Sequence, residues 1–302
     1  MKVLVTGGAG FIGSNIVDKL IEENYEVIII DDLSTGKEEH INEKAKFYKA
    51  DISSKEINDI FEKENINIVI HTAAQIDVQK SISNPIYDCK NNIIGTLNIL
   101  EACKKHKIEK LVYSSSAAVY GQPDYLPVDE EHPINAMSGY GISKHTPEHY
   151  IKMYSDIYEL NASILRYSNV YGPRQDPKGE GGVISIFVDK MLDNEKPIIY
   201  GDGEQTRDFI YVEDIVSANL AAINKDKTEV YNISCNKKNS INDLATIINK
   251  ILDTNFSPIY KEARPGDIRH SVLDNNKALN SLAWKPQYDL EQGLKETITY
   301  YK

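Results

Sequence analysis

Cysteine is scarce in this sequence, and the cysteines present do not form a pattern typical of a metal or disulfide site. Only three occur among 302 residues, and they are widely spaced. No C-x-x-C pair is present, so neither a zinc site nor a disulfide framework is indicated. Reduced thiols of an intracellular protein are the simpler interpretation of Cys89, Cys103 and Cys235, and we expect no bound metal.

Long hydrophobic runs are absent as well. No stretch of about 18 apolar residues occurs, which is the length that a transmembrane helix requires. The first residues, MKVLVTGGAG, reach glycines too early for the apolar segment of a signal peptide. We therefore expect a cytoplasmic protein that does not engage a membrane.

Positive charge is also in short supply. The chain has 34 Lys and Arg residues against 45 Asp and Glu residues, which gives a formal net charge of −11. An acidic surface repels phosphate backbones, so nucleic acid is not an expected partner. A small anion can still bind, because arginines and backbone N–H groups act at short range within a pocket.

What the first half of the chain does contain is a regular alternation of short apolar runs and longer amphipathic segments. The runs are nearly continuous in hydrophobicity, which is typical of strands buried on both faces of a parallel sheet. They lie at residues 2–6, 25–31, 45–51, 66–71, 110–115 and 161–167. Helices are predicted between them at 13–23, 55–64, 86–107 and 138–158. This order predicts an α/β fold with a doubly wound parallel sheet of the Rossmann type.

The second half is less regular, with turn-forming residues at 171–182 and 200–208. Helical patterns recur near 183–193, 213–224 and 240–252. A chain of this length permits one large domain or two moderate ones. We predict a Rossmann domain over residues 1–168 and a smaller α/β lobe over 169–302, from which the chain can cross back to the first sheet.

The stretch GGAGFIG at residues 7–13 follows the first predicted strand and begins the first predicted helix. Gly7, Gly10 and Gly13 allow a tight turn and a close approach to a pyrophosphate, whose charge the helix N-terminus favours. The next strand ends at Asp31, roughly 20 residues on, where a carboxylate can bind an adenosine ribose. Asp31 would repel a 2′-phosphate, so NAD is favoured over NADP.

Two further strand ends could contribute to a cofactor site. Asp51 and Ile52 follow the third strand, where an adenine ring could lie, although an aspartate that caps the next helix is an equally good explanation. Ala73 and Ala74 follow the fourth strand and are small enough for the backbone to approach a cofactor. We interpret His71, just before them, as a core residue rather than a base.

The stretch SGYGISKH at 138–145 places Tyr140 and Lys144 four residues apart, on one face of a predicted helix. Taken alone, such a pair could equally be surface decoration. A nearby cation also stabilises a phenolate, however, and thereby lowers the pKa of a tyrosine. Ser116 follows the fifth strand, and ligands of open α/β sheets bind beyond the carboxyl ends of the strands. The three side chains are therefore candidates for one acid–base site.

Four motifs in this order, TGGAGFIG, SSSAAVYG, YGISK and RYSNVYGPRQ, resemble those of the extended short-chain dehydrogenase/reductase superfamily. Within it the chain is most similar to the NAD-dependent epimerase/dehydratase family, and there to the UDP-glucose 4-epimerases and related nucleotide-sugar epimerases. The similarity covers essentially the whole chain and includes GDGEQTRDFIYVED at 201–214 and RPGD at 264–267. The resemblance implies NAD as the cofactor and a UDP-sugar as the substrate.

The resemblance also implies a reaction. Tyr140 would take a proton from the 4-hydroxyl of the sugar while NAD takes hydride from C4. Lys144 would hydrogen-bond the nicotinamide ribose and lower the pKa of Tyr140. Ser116 would hydrogen-bond the 4-oxygen. The 4-keto sugar would then rotate, and return of hydride to its other face would complete the 4-epimerisation.

Further roles are implied by match to the family. Residues that would contact NAD or fix the loops behind it are Phe11, Ile12, Ser34, Thr35, Gly36 and Asn92. Residues that would hold the UDP-sugar are Asn169, Arg207, Arg264 and Asp267, the arginines being suited to its diphosphate. A homodimer that packs the helices around 86–107 and 138–158 into an intersubunit bundle is implied in the same way.

Three positions depart from the family pattern. Ser168 stands where related epimerases commonly have phenylalanine beside the nicotinamide. Asp77 stands where many have serine or alanine near the sugar, and it could bind hydroxyls or point away. Pro147, just after Lys144, is expected to kink its helix. His145 and His149 have a spacing that also suits a metal, but no third ligand is evident, so a solvated helix face is the better interpretation.

The residues after Ser116 indicate the type of reaction. Family members that eliminate water generally have an acidic pair there, whereas this chain has Ala117 and Ala118. Epimerisation needs no extra acid, so we expect a 4-epimerase of UDP-glucose and UDP-galactose. Alternatives are UDP-GlcNAc/UDP-GalNAc, for which the small Ser271 would leave room, and a UDP-uronic acid. A sensor or scaffold that binds NAD without catalysis is an alternative of another class, against which the presence of both Tyr140 and Lys144 argues.

Overall fold

The computed structural model describes residues 1–178, 182–263 and 268–302. Its strands are long and regular at first and short afterwards. The first six are β1 (Lys2–Thr6), β2 (Glu26–Asp31), β3 (Lys46–Lys49), β4 (Ile68–His71), β5 (Lys110–Ser116) and β6 (Ala162–Tyr167). Those that follow are β7 (Asn169–Tyr171), β8 (Ile198–Tyr200), β9 (Thr206–Arg207), β10 (Phe209–Tyr211), β11 (Glu229–Ile233), β12 (Asn239–Ser240) and β13 (Ile259–Lys261).

The helices of the first half alternate with the strands. They are α1 (Phe11–Glu22), α2 (Glu56–Glu64), α3 (Val78–Ser83), α4 (Pro85–Cys89), α5 (Gly95–Lys105) and α6 (Gly139–Tyr158). The predicted helix over 86–107 is interrupted by a wider π-helical turn at Lys90–Ile94, between α4 and α5. The second half contributes α7 (Val183–Leu192), α8 (Val212–Ile223), α9 (Ile241–Leu252) and α10 (Leu290–Tyr301).

Seven parallel strands form the central sheet, in the order β3-β2-β1-β4-β5-β6-β11. Both faces are covered, as the continuous hydrophobicity of the strands predicts. On β1, Val3 and Val5 pack toward one face together with Ile16 of α1, while Leu4 packs toward the other together with Ile99 of α5. Helices on both faces of a parallel sheet confirm the predicted doubly wound fold.

The second half of the chain contributes to two places. Strand β11 returns to the central sheet and pairs in parallel with β6, with Tyr231 opposite Leu165. Helix α8 packs against α1 on one face of the same sheet. The remaining elements enclose a separate core that includes Phe187, Ile199 and Leu244. Its strands pair only two at a time, as β10 with β7, β12 with β9 and β13 with β8.

This arrangement directs the ends of several strands to one edge. Because the central strands are parallel, the carboxyl ends of β1, β2, β4, β5 and β6 meet there, and each is followed by residues that the sequence singles out. Of the helices in the described residues, none has the length and apolar character needed to cross a membrane.

Candidate active site

The loop between β1 and α1 contains glycines at positions where a side chain would clash with neighbouring backbone atoms. Gly7 has a φ of +69°, and its carbonyl oxygen accepts a hydrogen bond of 3.1 Å from the Gly10 N–H group. A Cβ on Gly13 would lie 2.1 Å from that same oxygen, and a Cβ on Gly7 would lie 2.8 Å from the Ala73 nitrogen. The turn therefore closes only with glycine at these positions. Gly10 caps α1 without a side-chain hydrogen bond, which leaves N–H groups of the first turn for an anion.

Asp31, at the end of β2, is buried directly beside this loop. Its carboxylate accepts hydrogen bonds from the Ala9 N–H group at 3.0 Å and the Leu33 N–H group at 2.8 Å. Burial raises the pKa of Asp31, and these two N–H groups oppose that shift. A Cβ on Gly36 would lie 2.7 Å from Asp31 Oδ1, so Gly36 lies against this carboxylate. Asp31 thus orders the glycine loop as well as facing the cleft.

A cleft opens above the glycine loop, at the edge where the strands end. Predicted residues that line it are Gly7, Gly10, Phe11, Ile12, Gly13, Asp31, Ser34, Thr35, Asp51, Ile52, Ala73, Ala74, Tyr140 and Lys144. The cleft therefore brings predicted residues of five separate segments, 137 positions apart at the extremes of Gly7 and Lys144, to one surface.

At one end of the cleft, Asp51 and Ile52 follow β3 as predicted. Burial raises the pKa of Asp51, but hydrogen bonds from Ser53 and the charge of Lys90 outweigh it, so the pKa is lowered. The Ser53 N–H group lies 2.7 Å from Asp51 Oδ1, which makes Asp51 a turn-stabilising residue at the cleft wall. Ile52 is buried, and a Cβ on Gly95 would lie 2.6 Å from its Cδ1 atom. The glycine thus allows α5 to approach this wall.

At the other end, Tyr140 and Lys144 lie on the first turns of α6. Ser138 caps this helix, since its hydroxyl accepts a 3.1 Å hydrogen bond from the Gly141 N–H group. Lys144 is only 3% exposed, and its ammonium nitrogen lies 4.6 Å from the centre of the Tyr113 ring. Burial lowers the pKa of Lys144 to about 7, and the charges of Glu148 and Asp88 oppose this. These two carboxylates therefore favour the protonated form of Lys144 against the effect of burial.

Ser116 ends β5 beside the cleft but is not among the residues that line it. Its hydroxyl accepts a hydrogen bond of 3.2 Å from the Ala118 N–H group. Ser114 and Ser115, on the same strand, do line the cleft, together with Tyr167 from β6. The Ser114 and Tyr167 hydroxyls are 3.0 Å apart. Sequence reasoning missed these neighbours, although the run of three serines at a predicted strand end is a usable indication.

The cleft includes other residues that were not predicted. They are Ile30, Asp32, Ala50, Thr72, Ile76 and Asn91. Asn92, which was predicted, is buried behind the wall instead. Its side chain bonds to both backbone polar groups of Gln75, at 2.7 and 2.8 Å, and donates to the Ser143 hydroxyl at 2.9 Å. Asn92 therefore fastens the loop after β4 to α6, while the adjacent Asn91 faces the cleft.

His71 is a core residue, as expected. Its two ring nitrogens lie 2.6 Å from the Thr6 hydroxyl and 3.0 Å from the Thr96 hydroxyl. Complete burial, reinforced by the charge of Lys144, lowers the pKa of His71 to about 3. The ring therefore remains neutral at the pH values at which proteins ordinarily work.

Three of the predicted sugar-side residues, Asn169, Arg207 and Ser271, lie on short strands or loops of the second half. Asn169 is exposed at the start of β7, and its N–H group donates to the Asp208 carbonyl oxygen at 2.9 Å. Arg207 ends β9, and the Ser271 N–H group donates to the Thr206 carbonyl oxygen at 3.2 Å. These backbone hydrogen bonds attach the segments of Asn169 and Ser271 to the two residues that flank Arg207 in the chain. Arg264 and Asp267 lie outside the described residues.

Asp208, which sequence reasoning did not single out, organises this side of the site. It is fully buried, and its carboxylate accepts from the N–H groups of Cys235 at 3.0 Å, Asn236 at 3.1 Å and Leu273 at 3.3 Å. Burial raises the pKa of Asp208 to about 7, and these N–H groups oppose the shift. One carboxylate therefore joins the segment that carries Arg207 to the segment that carries Ser271.

The three departures from the family pattern have different surroundings. Asp77 caps α3, where its carboxylate accepts from the Gln79 N–H group at 2.8 Å and the Lys80 N–H group at 3.1 Å. Helix α6 continues through Pro147 to Tyr158. The Ser168 hydroxyl oxygen is buried and has no hydrogen-bond partner in the described residues. His145 and His149 stack edge to face with ring centres 4.6 Å apart.

Comparison with known proteins matches this chain to a family. The model of the NAD dependent epimerase/dehydratase family matches residues 3–234. A Methanocaldococcus jannaschii protein that is provisionally named a UDP-glucose 4-epimerase is 54% identical over 301 residues, which cover 99% of this chain and 98% of that protein.

Two solved structures are similar over nearly their full length. The UDP-glucose 4-epimerase of Thermotoga maritima, crystallised with UDP-glucose, is 44% identical with a TM-score of 0.98, covering 100% of this chain and 98% of that one. The UDP-N-acetylglucosamine 4-epimerase of Methanobrevibacter ruminantium, in complex with UDP-N-acetylmuramic acid, is 40% identical with a TM-score of 0.95, covering 99% and 97%.

Proposed function

This chain belongs to the NAD-dependent epimerase/dehydratase family, and from that premise we propose that it interconverts UDP-glucose and UDP-galactose by 4-epimerisation. One observation carries the proposal: Tyr140 and Lys144 line the same cleft as the glycine loop. Ala117 and Ala118 supply no acid beside them, so elimination of water lacks its catalyst. The name and bound ligand of the Thermotoga maritima enzyme support the same substrate.

The residues around the cleft fit NAD. Glycine at position 13 leaves the turn open, so that the backbone can approach a pyrophosphate closely. The N–H groups in the first turn of α1 are not capped by a side chain and can bind its negative charge. Asp31 suits a ribose with two free hydroxyls. When bound, NAD supplies a hydride acceptor and donor for C4 of the sugar.

The roles of the chain's own residues follow from their positions. Tyr140 would take the proton of the 4-hydroxyl and later return one to the 4-oxygen. Lys144 would favour the phenolate form of Tyr140 by its positive charge and would hydrogen-bond the nicotinamide ribose. Ser116 would hydrogen-bond the sugar's 4-oxygen. Asn169 and Arg207 would hold the UDP portion, so that the 4-keto sugar can rotate while its nucleotide stays bound.

Proton NMR tests this function directly. The purified protein is supplied with UDP-glucose and a catalytic amount of NAD, and the galacto anomeric signal should grow to a fixed equilibrium. The Tyr140→Phe variant should bind NAD normally but lose roughly 100- to 10,000-fold in rate. If UDP-glucose, UDP-GlcNAc and UDP-glucuronate all give no new signal while NAD is still bound, the result would favour a sensor or scaffold that binds NAD without catalysis.

The N-acetylated sugars are the alternative substrate that a particular residue supports. Ser271 is small, and its N–H group donates to the carbonyl oxygen of Thr206, the residue before Arg207. Its position would leave room for a 2-N-acetyl group, and the Methanobrevibacter ruminantium enzyme is named for such a sugar. Ser271→Tyr should reduce turnover of UDP-GlcNAc by at least about tenfold and leave UDP-glucose within about twofold. Equal effects on both sugars would contradict this role.

We also propose that the active form is a homodimer. Helix α4, the π-helical turn at Lys90–Ile94 and the adjacent helix α6 expose large apolar side chains, among them Ile86 (82% exposed), Ile94, Ile142 and Ile157 (61% exposed). A second copy of the same face would cover them. Analytical ultracentrifugation should give a dimer at micromolar concentration, and Ile157→Lys should give monomers. A wild-type monomer at that concentration would refute the proposal.

A further inference from the structure

A buried ion pair lies directly beneath the catalytic end of the cleft. Glu148 of α6 is 1% exposed and Arg166 of β6 is 3% exposed. Arg166 Nε donates to Glu148 Oε1 at 3.0 Å, and Arg166 Nη2 donates to Glu148 Oε2 at 2.5 Å. The third guanidinium nitrogen, Nη1, donates to the Tyr120 hydroxyl at 2.9 Å. The guanidinium is therefore held on both sides, and the carboxylate is fixed by a two-point contact.

A gain in the stability of the folded protein does not explain why this ion pair is buried. Removing two charges from water has a large desolvation cost, and a buried pair is often no more stable than well-packed apolar residues. Contacts that connect the pair to the cleft offer another explanation.

Two such connections exist. The Ser115 hydroxyl, which lines the cleft, donates to Glu148 Oε1 at 2.6 Å. Glu148 also follows Lys144 by one helical turn on the same face of α6, where side chains four residues apart are neighbours. A single carboxylate thus accepts a hydrogen bond from one wall of the cleft, and from one helical turn away its negative charge acts on the buried ammonium group of Lys144.

Within the described part of the chain, few charged groups surround Lys144. Glu148 and Asp88 are the negative groups that favour its protonated form. Arg166 is positive and pairs with Glu148. His145, 3.9 Å from Glu148 Oε2, has a pKa lowered by burial, and the pKa of His71 is lowered to about 3, so both rings are neutral at pH 7. Tyr113, Tyr120 and Tyr140 complete the titratable neighbours, and burial raises the pKa of the first two.

We propose that Glu148 is a positioning residue for the catalytic end of the cleft: clamped by Arg166, it fixes Ser115 and supplies the negative charge that keeps Lys144 protonated. The inference rests on the proposed function, in which the Lys144 ammonium favours the phenolate of Tyr140. Glu148 itself contacts neither ligand. Its effect on the reaction is transmitted through Lys144 and Ser115.

The test is the pH profile of kcat for the NAD-loaded protein with UDP-galactose. In Glu148→Gln, Lys144 loses its proton at lower pH, so the alkaline limb should move down by about one pH unit or more. In Glu148→Asp the charge is retained, and the limb should stay close to that of the wild type. Asp156→Asn makes the same charge change at an exposed position of α6 and should leave the limb unmoved.

Arg166→Met removes the opposite charge and should move the alkaline limb upward. The double variant Glu148→Gln/Arg166→Met removes both charges, and its limb should return toward the wild-type position. A purely structural pair would instead lower the melting temperature of all these variants without moving the limb. An unmoved limb in folded Glu148→Gln overturns the proposal, and if that variant does not fold, an unmoved or lowered limb in Arg166→Met overturns it.

A second readout does not depend on turnover. The near-ultraviolet absorbance of tyrosine phenolate, with the Tyr140→Phe protein as the subtracted reference, reports the pH at which Tyr140 loses its proton. That transition should differ between wild type and Glu148→Gln, and not between wild type and Asp156→Asn. If the wild type turns over no UDP-sugar but this difference is present, the proposed function fails while the positioning role of Glu148 stands.

Discussion

The glycine loop follows a strand of five residues that is buried on both faces, whereas Asn169 and Arg207 lie on strands of three and two residues. On the cofactor side, β1 is paired along its length with β2 and β4, and this ladder positions the loop. On the sugar side, β9 is paired with two residues of β12 and positions little by itself. There, the backbone is positioned by hydrogen bonds to single buried side chains such as Asp208, and not by an extended sheet.

The difference has a consequence for how each side can fail. A loop held by a continuous sheet is disturbed by added volume, because the backbone around it cannot move. A loop held by one carboxylate is disturbed by loss of that carboxylate. Four measurements, with expected effects that range from large to small, test this contrast.

Gly13→Ala should have the largest effect. The added Cβ would lie 2.1 Å from the Gly7 carbonyl oxygen, which is a backbone atom fixed by the turn. We expect NAD affinity to fall by at least about 100-fold, or about 2.7 kcal/mol, in a calorimetric titration. Gly182→Ala is the control from the other half, since its Cβ would meet no backbone atom but only the end of the Gln175 side chain, at 3.0 Å. Similar NAD affinity in both variants would break the contrast.

Asp208→Asn should act on the other side. The asparagine side chain would point an NH₂ donor at backbone N–H groups that now donate to the carboxylate, so at least one of these hydrogen bonds is lost. The free energy of unfolding should therefore fall by about 2–3 kcal/mol in urea titrations. We expect KM for the UDP-sugar to rise about tenfold while NAD affinity is unchanged. Asp202→Asn, which removes an exposed partner of Arg269 in the same half, should cost less than about 1 kcal/mol. An equal loss of NAD affinity in Asp208→Asn would show that the two sides are not separable.

On the cofactor side, His71 should make the free energy of unfolding fall at acid pH. Its folded pKa of about 3 is depressed below the usual 6.5, so its contribution to stability is present above pH 6.5 and is lost as pH falls toward 3. The loss is about 1.4 kcal/mol per pH unit, or roughly 2 kcal/mol between pH 6.5 and 5. His71→Gln should flatten the pH dependence of unfolding in this window. The exposed His149→Gln is the control, and an unchanged slope in His71→Gln would contradict the assignment.

The ion pair that joins the two sides should matter least. Arg174 Nη2 lies 2.6 Å from Asp18 Oδ2, and both side chains are partly exposed. Asp18→Asn should lower the free energy of unfolding by about 0.5 kcal/mol, with Glu22→Gln on the same helix as the reference. A loss above about 2 kcal/mol would mean that this pair, rather than packing of α8 against α1, holds the halves together.

The two sides also differ in how much of the site the sequence predicts. The glycine loop, Asp31 and the Tyr140–Lys144 pair are encoded by local spacing, and all of them line the cleft. Ser116 was assigned from its motif, but Ser114 and Ser115 line the cleft, because the strand end presents more than one serine to this edge. Asp208 was missed because its partners are 27 to 65 positions away in the chain.

The sequence by itself determined the alternation of strands and helices, the doubly wound sheet and the cofactor loop, because these depend on hydrophobic periodicity and on glycines at short, fixed spacing. Only the tertiary structure decided which residues beyond the motifs share the cleft, that Glu148 and Arg166 form a buried pair beneath it, and that Asp208 fastens the sugar side. The physical reason is that a buried charge or hydrogen bond depends on partners from distant segments. Their approach is set by packing, and no local pattern in the chain records it.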